Sequence, residues 1–245
     1  MPRDWNAAEY DRLAAPMARW GAEVVGWLEL EGDEHVMDAG CGTGRVTSMV
    51  LSRLPRGHTI ALDGSSAMIE LAKKKLVRFG DRVSFVVADL QQPLSIGEPV
   101  DAILSTATFH WVSDHDALFR NLAAVLKPGG QLCAQCGGAG NIAKVAAAAS
   151  KAGLELSGKN FATAEDTRAR LVAAGFTDVE VWLHEEPTPV AAADLEPYLD
   201  TICLGGLVEN MDDDQRAAFV HDVASRLPKP EIDYVRLNIR ARRSR

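Results

Sequence analysis

His35-Val36-Met37-Asp38-Ala39-Gly40-Cys41-Gly42-Thr43-Gly44-Arg45 joins a short apolar run to the start of a helical pattern through three alternating glycines. Glycine tolerates positive φ and has no Cβ, so a ligand can lie directly against this main chain. The first turn of the following helix adds N–H groups that lack intrahelical acceptors and can face an anion. The stretch therefore reads as strand, ligand cradle and helix in succession.

Downstream of it, short apolar runs alternate with helical patterns, the order of a βαβ chain with a parallel sheet. Strands are expected at 36–39, 59–62, 83–87, 102–105 and 131–134. Val46, Met49, Val50 and Leu54 mark one intervening helix, Met68, Leu71, Ala72, Leu76 and Phe79 a second, and Leu118, Leu122, Val125 and Leu126 a third. Lys127-Pro128-Gly129-Gly130 stops the third helix, since proline cannot continue it and glycine permits the reversal. A helix near 164–174, a Gly175-Phe176 stop and strands near 179–184 and 234–241 complete a doubly wound, mostly parallel sheet of seven strands. Between those last two strands lies an insertion, about 190–227, with two helical patterns at 192–208 and 212–226. An insertion of that size suits a lid or a substrate wall.

Upstream, Tyr10, Leu13, Met17, Trp20, Val24 and Trp27 recur in steps of three and four, one apolar helix face, which Pro16 is expected to break. The organisation expected is an N-terminal helical cover over 1–30 and a Rossmann-like domain over 31–245 that carries the insertion.

A chain of 245 residues, 47% of them hydrophobic, can bury one large core. Its formal charge of −8 argues against a nucleic-acid or membrane-surface partner, either of which selects a basic face. The one basic cluster, five arginines from Arg236 to Arg245, alternates with apolar residues and reads as a strand with a wetter face plus a tail. No run approaches the ~20 apolar residues of a membrane span and the N-terminus lacks a signal-peptide core, so the expected location is the cytoplasm. Four cysteines fit a reducing compartment. Cys133 and Cys136 have metal-like spacing without a second pair, so no metal site is expected.

Polar residues recur where strands end: Asp38, Asp63, Asp89, then Ser105 and Thr106. In open parallel sheets ligands bind outside the carboxyl ends of the strands, so these side chains converge on one crevice. An acid ending the second strand is placed to accept ribose hydroxyls, which makes Asp63 the ribose ligand. Ser65 or Ser66 could instead serve as the N-cap of the next helix. The dinucleotide fingerprint needs glycine where Arg45 stands, and a P-loop needs a lysine and a longer gap.

Val36-Met37-Asp38-Ala39-Gly40-Cys41-Gly42-Thr43-Gly44, with Ala61-Leu62-Asp63, Val87-Ala88-Asp89-Leu90 and Leu126-Lys127-Pro128-Gly129-Gly130 in that order, resembles the class I S-adenosylmethionine-dependent methyltransferases. The resemblance implies S-adenosylmethionine as cofactor and S-adenosylhomocysteine as product. It implies that Gly40, Cys41 and Gly42 line the methionine end, that Asp63 binds the ribose and that Asp89 with Leu90 contacts the adenine. Asp38 would orient the loop and reach the cofactor's amino group. Gly64, Ser65, Met68 and Ser105 complete the expected cofactor set. Gly64 departs from the family pattern and should loosen the loop without removing the carboxylate.

Within that class, Trp5 to Tyr10, Asp63-Gly64-Ser65-Ser66-Ala67-Met68-Ile69-Glu70 and Phe109-His110-Trp111-Val112 resemble the trans-aconitate methyltransferase group. The resemblance implies methyl esterification of a small carboxylic acid. An ionised carboxylate needs positioning and desolvation rather than a general base. His110 and Trp111 follow the fourth strand, where the acceptor should sit, and both can donate N–H groups to it; alternatively Trp111 packs the sheet edge and His110 bonds to backbone. Were the acceptor an amine or phenol, His110 could act as base. Trp5, Tyr10, Arg12 and Arg19 are further acceptor candidates, and Arg45 a further anion partner; a solvated surface role is the alternative for the three arginines. Competing functions are an N- or C-methyltransferase and a non-catalytic S-adenosylmethionine-binding protein. The expected partner is a small-molecule acceptor, and the expected state a monomer or homodimer.

Overall fold

The computed structural model describes residues 15–245. Helix α1 (Ala15–Trp27) leads into β1 (His35–Ala39), α2 (Arg45–Arg53), β2 (His58–Asp63), α3 (Ser66–Leu76) and β3 (Val83–Val87). Then follow β4 (Val100–Thr106), α4 (His115–Val125), β5 (Leu126–Gly137), α5 (Ala143–Lys151), α6 (Ala164–Ala173), β6 (Phe176–Pro189), α7 (Asp213–Ser225) and β7 (Glu231–Arg243). Pro16 is the second described residue of α1. The chain before Ala15 lies outside the described residues.

The sheet order is β3-β2-β1-β4-β5-β7-β6. β1 to β5 pair in parallel, and β7 lies antiparallel between β5 and β6. Asp38 stands beside Ala61 of β2 on one side and Leu104 of β4 on the other. The chain winds outward from β1 to β3 and returns to β4, so a crevice opens between β1 and β4 at the carboxyl ends.

Side chains alternate across this sheet, which explains its two-sided core. Val36 packs with Ala102, Leu104 and residues of α1 and α2, including Val24, Val46 and Val50. On the opposite face, Met37, Ala39 and Ile103 pack with Leu118, Phe119 and Leu122 of α4. Ser65, Asp114, Thr163 and Asp212 cap α3, α4, α6 and α7 by accepting N–H groups of the first turn.

Two expectations change in detail. The strand expected at 131–134 runs through Lys127-Pro128-Gly129-Gly130 as part of β5, with a register shift opposite Val100 and Ala102. The first inserted helix, expected over 192–208, is a series of short turns that includes a π-turn at Leu199–Cys203. With α5, α7 and Trp20 of α1, these turns enclose a separate apolar cluster around Leu199, Leu204, Val208 and Val223.

Candidate active site

A pocket of about 470 Å³ opens at the carboxyl ends of β1, β2 and β4. Gly40 and Gly42 line it and both have positive φ. A Cβ on Gly40 would fall 2.2 Å from Thr108 Oγ1, whereas one on Gly42 would meet nothing within 4 Å. Gly40 thus lets two loops meet, and Gly42 leaves space beside the main chain.

The loop is less of an anion cradle than its glycines suggest. The N–H groups of Gly40 and Cys41 both donate to Leu62 O, at 2.8 and 2.9 Å, and that of Gly44 donates to Cys41 O at 3.0 Å. Gly42 N–H donates to Asp63 Oδ2 at 2.9 Å. Four loop amides are therefore spent on holding the loop. Cys41 does not line the pocket: its buried side chain packs with Ala61 and Ile69, because the residue between two pocket-facing glycines points into the core.

Asp63, Gly64, Ser65 and Met68 line the pocket together, as do Asp89 and Leu90 on the next loop. Asp63 Oδ1 also accepts Ser65 N–H at 2.8 Å. Burial pushes the Asp63 carboxyl up, against the Ser65, Gly42 and Gly64 amides that favour its charge. A carboxylate has about four acceptor positions, so these amides leave room for a hydroxyl donor. Ser65 combines the two alternatives of the sequence, as its Oγ accepts Met68 N–H at 3.3 Å while the residue borders the pocket. Asp89 is exposed, and its Oδ1 accepts Gln91 N–H at 2.9 Å.

Ser105 is a correction. It is buried and its Oγ–H donates to Ala39 O at 2.6 Å, so it ties β4 to β1 instead of facing the pocket. Thr106, Ala107 and Thr108 line the pocket in its place. Ala107 adopts φ 55°, an unusual conformation for a side chain with a Cβ, at the turn out of β4.

Asp38 is wholly buried behind the loop and does not line the pocket. Thr47 Oγ1–H donates to its Oδ2 at 2.6 Å, and its Oδ1 has no hydrogen-bond partner among the described residues. Burial pushes this carboxyl up to about 7, opposed by the Thr47 bond and reinforced by the charge of Asp63. A buried unpartnered carboxylate oxygen behind a glycine loop, and hydroxyl-accepting capacity at Asp63, fit a group with a cationic amine at one end and a ribose in the middle.

Trp111 borders the large pocket and also a second cavity of about 50 Å³; Ala107 is common to both. His110 lines only the second cavity. Its Nδ1 accepts Gly137 N–H at 3.3 Å, which leaves the proton on Nε2, and its ring stacks on Phe161 with centroids 5.8 Å apart. Burial, then the charges of Arg236 and Lys159, hold this imidazole well below its ordinary pKa, so it is neutral. The backbone bond expected as an alternative is present, and the ring still borders a cavity.

The acceptor candidates of the N-terminal segment separate. Trp5, Tyr10 and Arg12 lie outside the described residues. Arg19 is exposed and pairs with Glu186 of β6, so it lines neither cavity. Arg45 opens α2 and is also absent from both linings. The sequence missed Arg236, expected on a wetter face: it is 2% exposed, with its guanidinium carbon 4.1 Å from the Trp20 ring centroid. Alternation along β7 signals a change of face but cannot tell solvent from a polar cavity. The described residues contain no cluster of potential metal ligands and no helix long and apolar enough to cross a membrane.

Residues 36–130 match a protein family described as a methyltransferase domain. Over 132 residues the chain is 36% identical to trans-aconitate 2-methyltransferase of Acidovorax ebreus (strain TPSY), covering 54% of this chain and 49% of that protein. The chain thus spans about half the length of the curated relatives it matches. Among solved structures, YcgJ from Bacillus subtilis superposes with a TM-score of 0.67 at 15% identity, over 93% of this chain and 99% of that one. Phosphoethanolamine N-methyltransferase 2 of Haemonchus contortus, solved with S-adenosyl-L-methionine, gives 0.64 at 17% identity over 97% and 56%. Likeness at such identities is one of fold. Residues 36–130 accordingly resemble a methyltransferase domain, and the described chain has the Rossmann-like fold of the solved structures it superposes on.

Proposed function

We propose that the protein is an S-adenosylmethionine-dependent methyltransferase that esterifies a carboxylate of a small acid. The observation that carries this reading is that two cavities, a large one beneath the glycine loop and a small one beside His110, share Ala107 and Trp111 in their walls. A donor in the first and an acceptor in the second would lie next to each other at those two residues. The likeness over half a chain to trans-aconitate 2-methyltransferases supports an acid as acceptor.

Gly40 and Gly42 hold the methionine end of the cofactor, with the Asp38 carboxylate behind them to balance its amine. Asp63 takes the ribose hydroxyls, and Asp89 with Leu90 holds the adenine. S-adenosylmethionine held there would supply the methyl group to a carboxylate oxygen and leave as the thioether, a transfer that needs no proton moved. The protein's task is then orientation and exclusion of water. A neutral His110 whose Nδ1 is already engaged suits this chemistry, since it offers an N–H donor and no base is needed. Trp20 of α1 and Ile202 and Cys203 of the insertion wall the second cavity, which supports reading residues 1–30 and 190–227 as a cover over the domain at 31–245.

The fold likeness to an N-methyltransferase favours nitrogen as the second reading. Transfer of labelled methyl from S-adenosylmethionine to panels of carboxylic acids and amines separates the two. An alkali-labile product from an acid is expected; a base-stable product from an amine, with no acid labelled, would overturn the esterification reading.

A further inference from the structure

We propose that Asn160 is a positioning residue, which latches a strap over residues 154–161 to the turn carrying His110 and Trp111 so that the two cavities close together. The assignment rests on reading the protein as an S-adenosylmethionine-dependent methyltransferase.

The strap runs between α5 and α6 without regular secondary structure. Gly158 lines the large cavity, and Lys159 and Phe161 just after it line the small one. The turn after β4 also borders both, through Ala107 and Trp111. Strap and turn thus face the same two spaces.

Asn160 joins the two segments. Its main-chain N–H donates to His110 O at 2.8 Å, and its side-chain Nδ2 donates to Ser113 O at 3.1 Å and to Val112 O at 3.4 Å. One residue therefore takes three carbonyls of the turn on which His110 and Trp111 stand. Phe109–Trp111 is a single 3-10 turn without a side-chain cap of its own, so its last carbonyls depend on partners from elsewhere. The loop after β3 braces the same turn. Gln91, in the wall of the large cavity, accepts Ser113 Oγ–H at 2.7 Å and Asp114 N–H at 3.1 Å through its Oε1. The turn is thus held between the loop that carries Asp89 and the strap.

The rest of the strap is built to move. The main-chain N–H groups of Glu155, Leu156, Ser157 and Gly158 bond to no other backbone group among the described residues, and Ser157 and Gly158 are exposed. Few backbone hydrogen bonds and an open surface place a segment at the low end of local stability. Gly153 and Gly158 bracket this stretch with φ of 100° and 78°, and a Cβ at either would meet nothing within 4 Å. Glycine there answers to backbone conformation alone, which suits two hinges. The firm fastenings lie beyond them: Phe161 stacks on His110, and Lys159 Nζ donates to Cys203 O of the insertion at 2.7 Å. Closed, the strap holds His110 and Trp111 in one orientation and shields both cavities from water; open, it lets the thioether product leave.

Release of labelled S-adenosylhomocysteine into an unlabelled excess, with amide hydrogen exchange, tests the assignment. The variants are Asn160→Leu, which keeps the size without the donors, and Asn160→Gln, which keeps the amide on a longer stem. In wild-type protein S-adenosylhomocysteine should slow exchange in both 154–161 and 109–113. Asn160→Leu should release the thioether about tenfold faster, the factor expected from losing two neutral hydrogen bonds, and should speed exchange of both segments together. Asn160→Gln should recover part of the difference. A structural role alone would lower the unfolding temperature and leave the release rate of folded protein unchanged. That result, or a strap that exchanges equally with and without ligand, would overturn the assignment. Should Asn160→Leu not fold, Asn160→Ser, too short to reach the carbonyls, decides by the same rates. Wild-type protein that binds no S-adenosylhomocysteine would overturn the methyltransferase reading. The latch then stands if Asn160→Leu still speeds exchange of both segments, and falls if it does not.

Discussion

Asp63 Oδ2 accepts the main-chain N–H of Gly42 at 2.9 Å, tying the end of β2 to the glycine loop after β1. Its other oxygen holds Ser65 N–H. One carboxylate therefore shapes two walls of the pocket before any ligand arrives. Replacing Asp63 by Asn leaves a single oxygen for two amides and turns an NH₂ toward one of them, so Asp63→Asn should behave almost as badly as Asp63→Ala. Each should lower unfolding free energy by about 1–3 kcal/mol and weaken S-adenosylmethionine binding at least about tenfold. Denaturant melts and titrations measure both; an Asn variant with wild-type affinity would exclude this bracing role.

Gly40→Ala should fail for a reason local to Thr108. The new Cβ would lie 2.2 Å from Thr108 Oγ1, at a φ of +87° that disfavours any side chain. The loop must move, with a stability loss of about 1–3 kcal/mol and loss of cofactor binding. Gly40→Ala combined with Thr108→Gly should recover part of the binding if the clash is the cause, and none if conformation alone decides.

The pH dependence of stability should carry the signature of Asp38. Its carboxyl titrates near 7 in the fold, against about 4 in an unfolded chain, so it stabilises the fold fully below about pH 4 and loses that contribution as pH rises through about 7. Asp63, also raised, acts with the same sign. Without cofactor, wild-type protein should therefore lose stability relative to Asp38→Asn across that window, by at most about 1.4 kcal/mol per pH unit. Parallel curves for the two proteins, from denaturant melts in a pH series, would show that Asp38 is ionised in both states.

Thiol chemistry gives an independent check on the core. Cys41, Cys133, Cys136 and Cys203 are free and buried, and burial pushes the Cys133 thiol up to about 12 and those of Cys136 and Cys203 to about 11. The native protein should react negligibly with a thiol-specific disulfide reagent at neutral pH, and all four thiols should appear on denaturation. A rapidly titrating native thiol would place that residue outside the core.

Much of this was legible because the parallel sheet writes itself in period-two apolar runs that end in polar residues. Asp63, Asp89 and the pocket-lining glycines follow from strand order alone. Ser105 was misjudged because β4 runs one residue further than its apolar run; a single step along a strand changes face, and Thr106 takes the pocket side. Cys41 was misjudged for a related reason, as flanking glycines face the pocket while the side chain between them turns to Ala61 and Ile69. Arg236 was hidden more deeply. Its surroundings are made by Trp20 of α1 and Gln135 of β5, elements remote in sequence that no local pattern brings together.

The central claim is that the glycine loop and Asp63 frame an S-adenosylmethionine site. Isothermal titration of S-adenosylmethionine into the intact chain tests it most directly. The account predicts saturable one-site binding, displaced by S-adenosylhomocysteine and accompanied by a rise in the unfolding temperature. No heat of binding at any pH between about 6 and about 8, together with an unshifted melt, would contradict it.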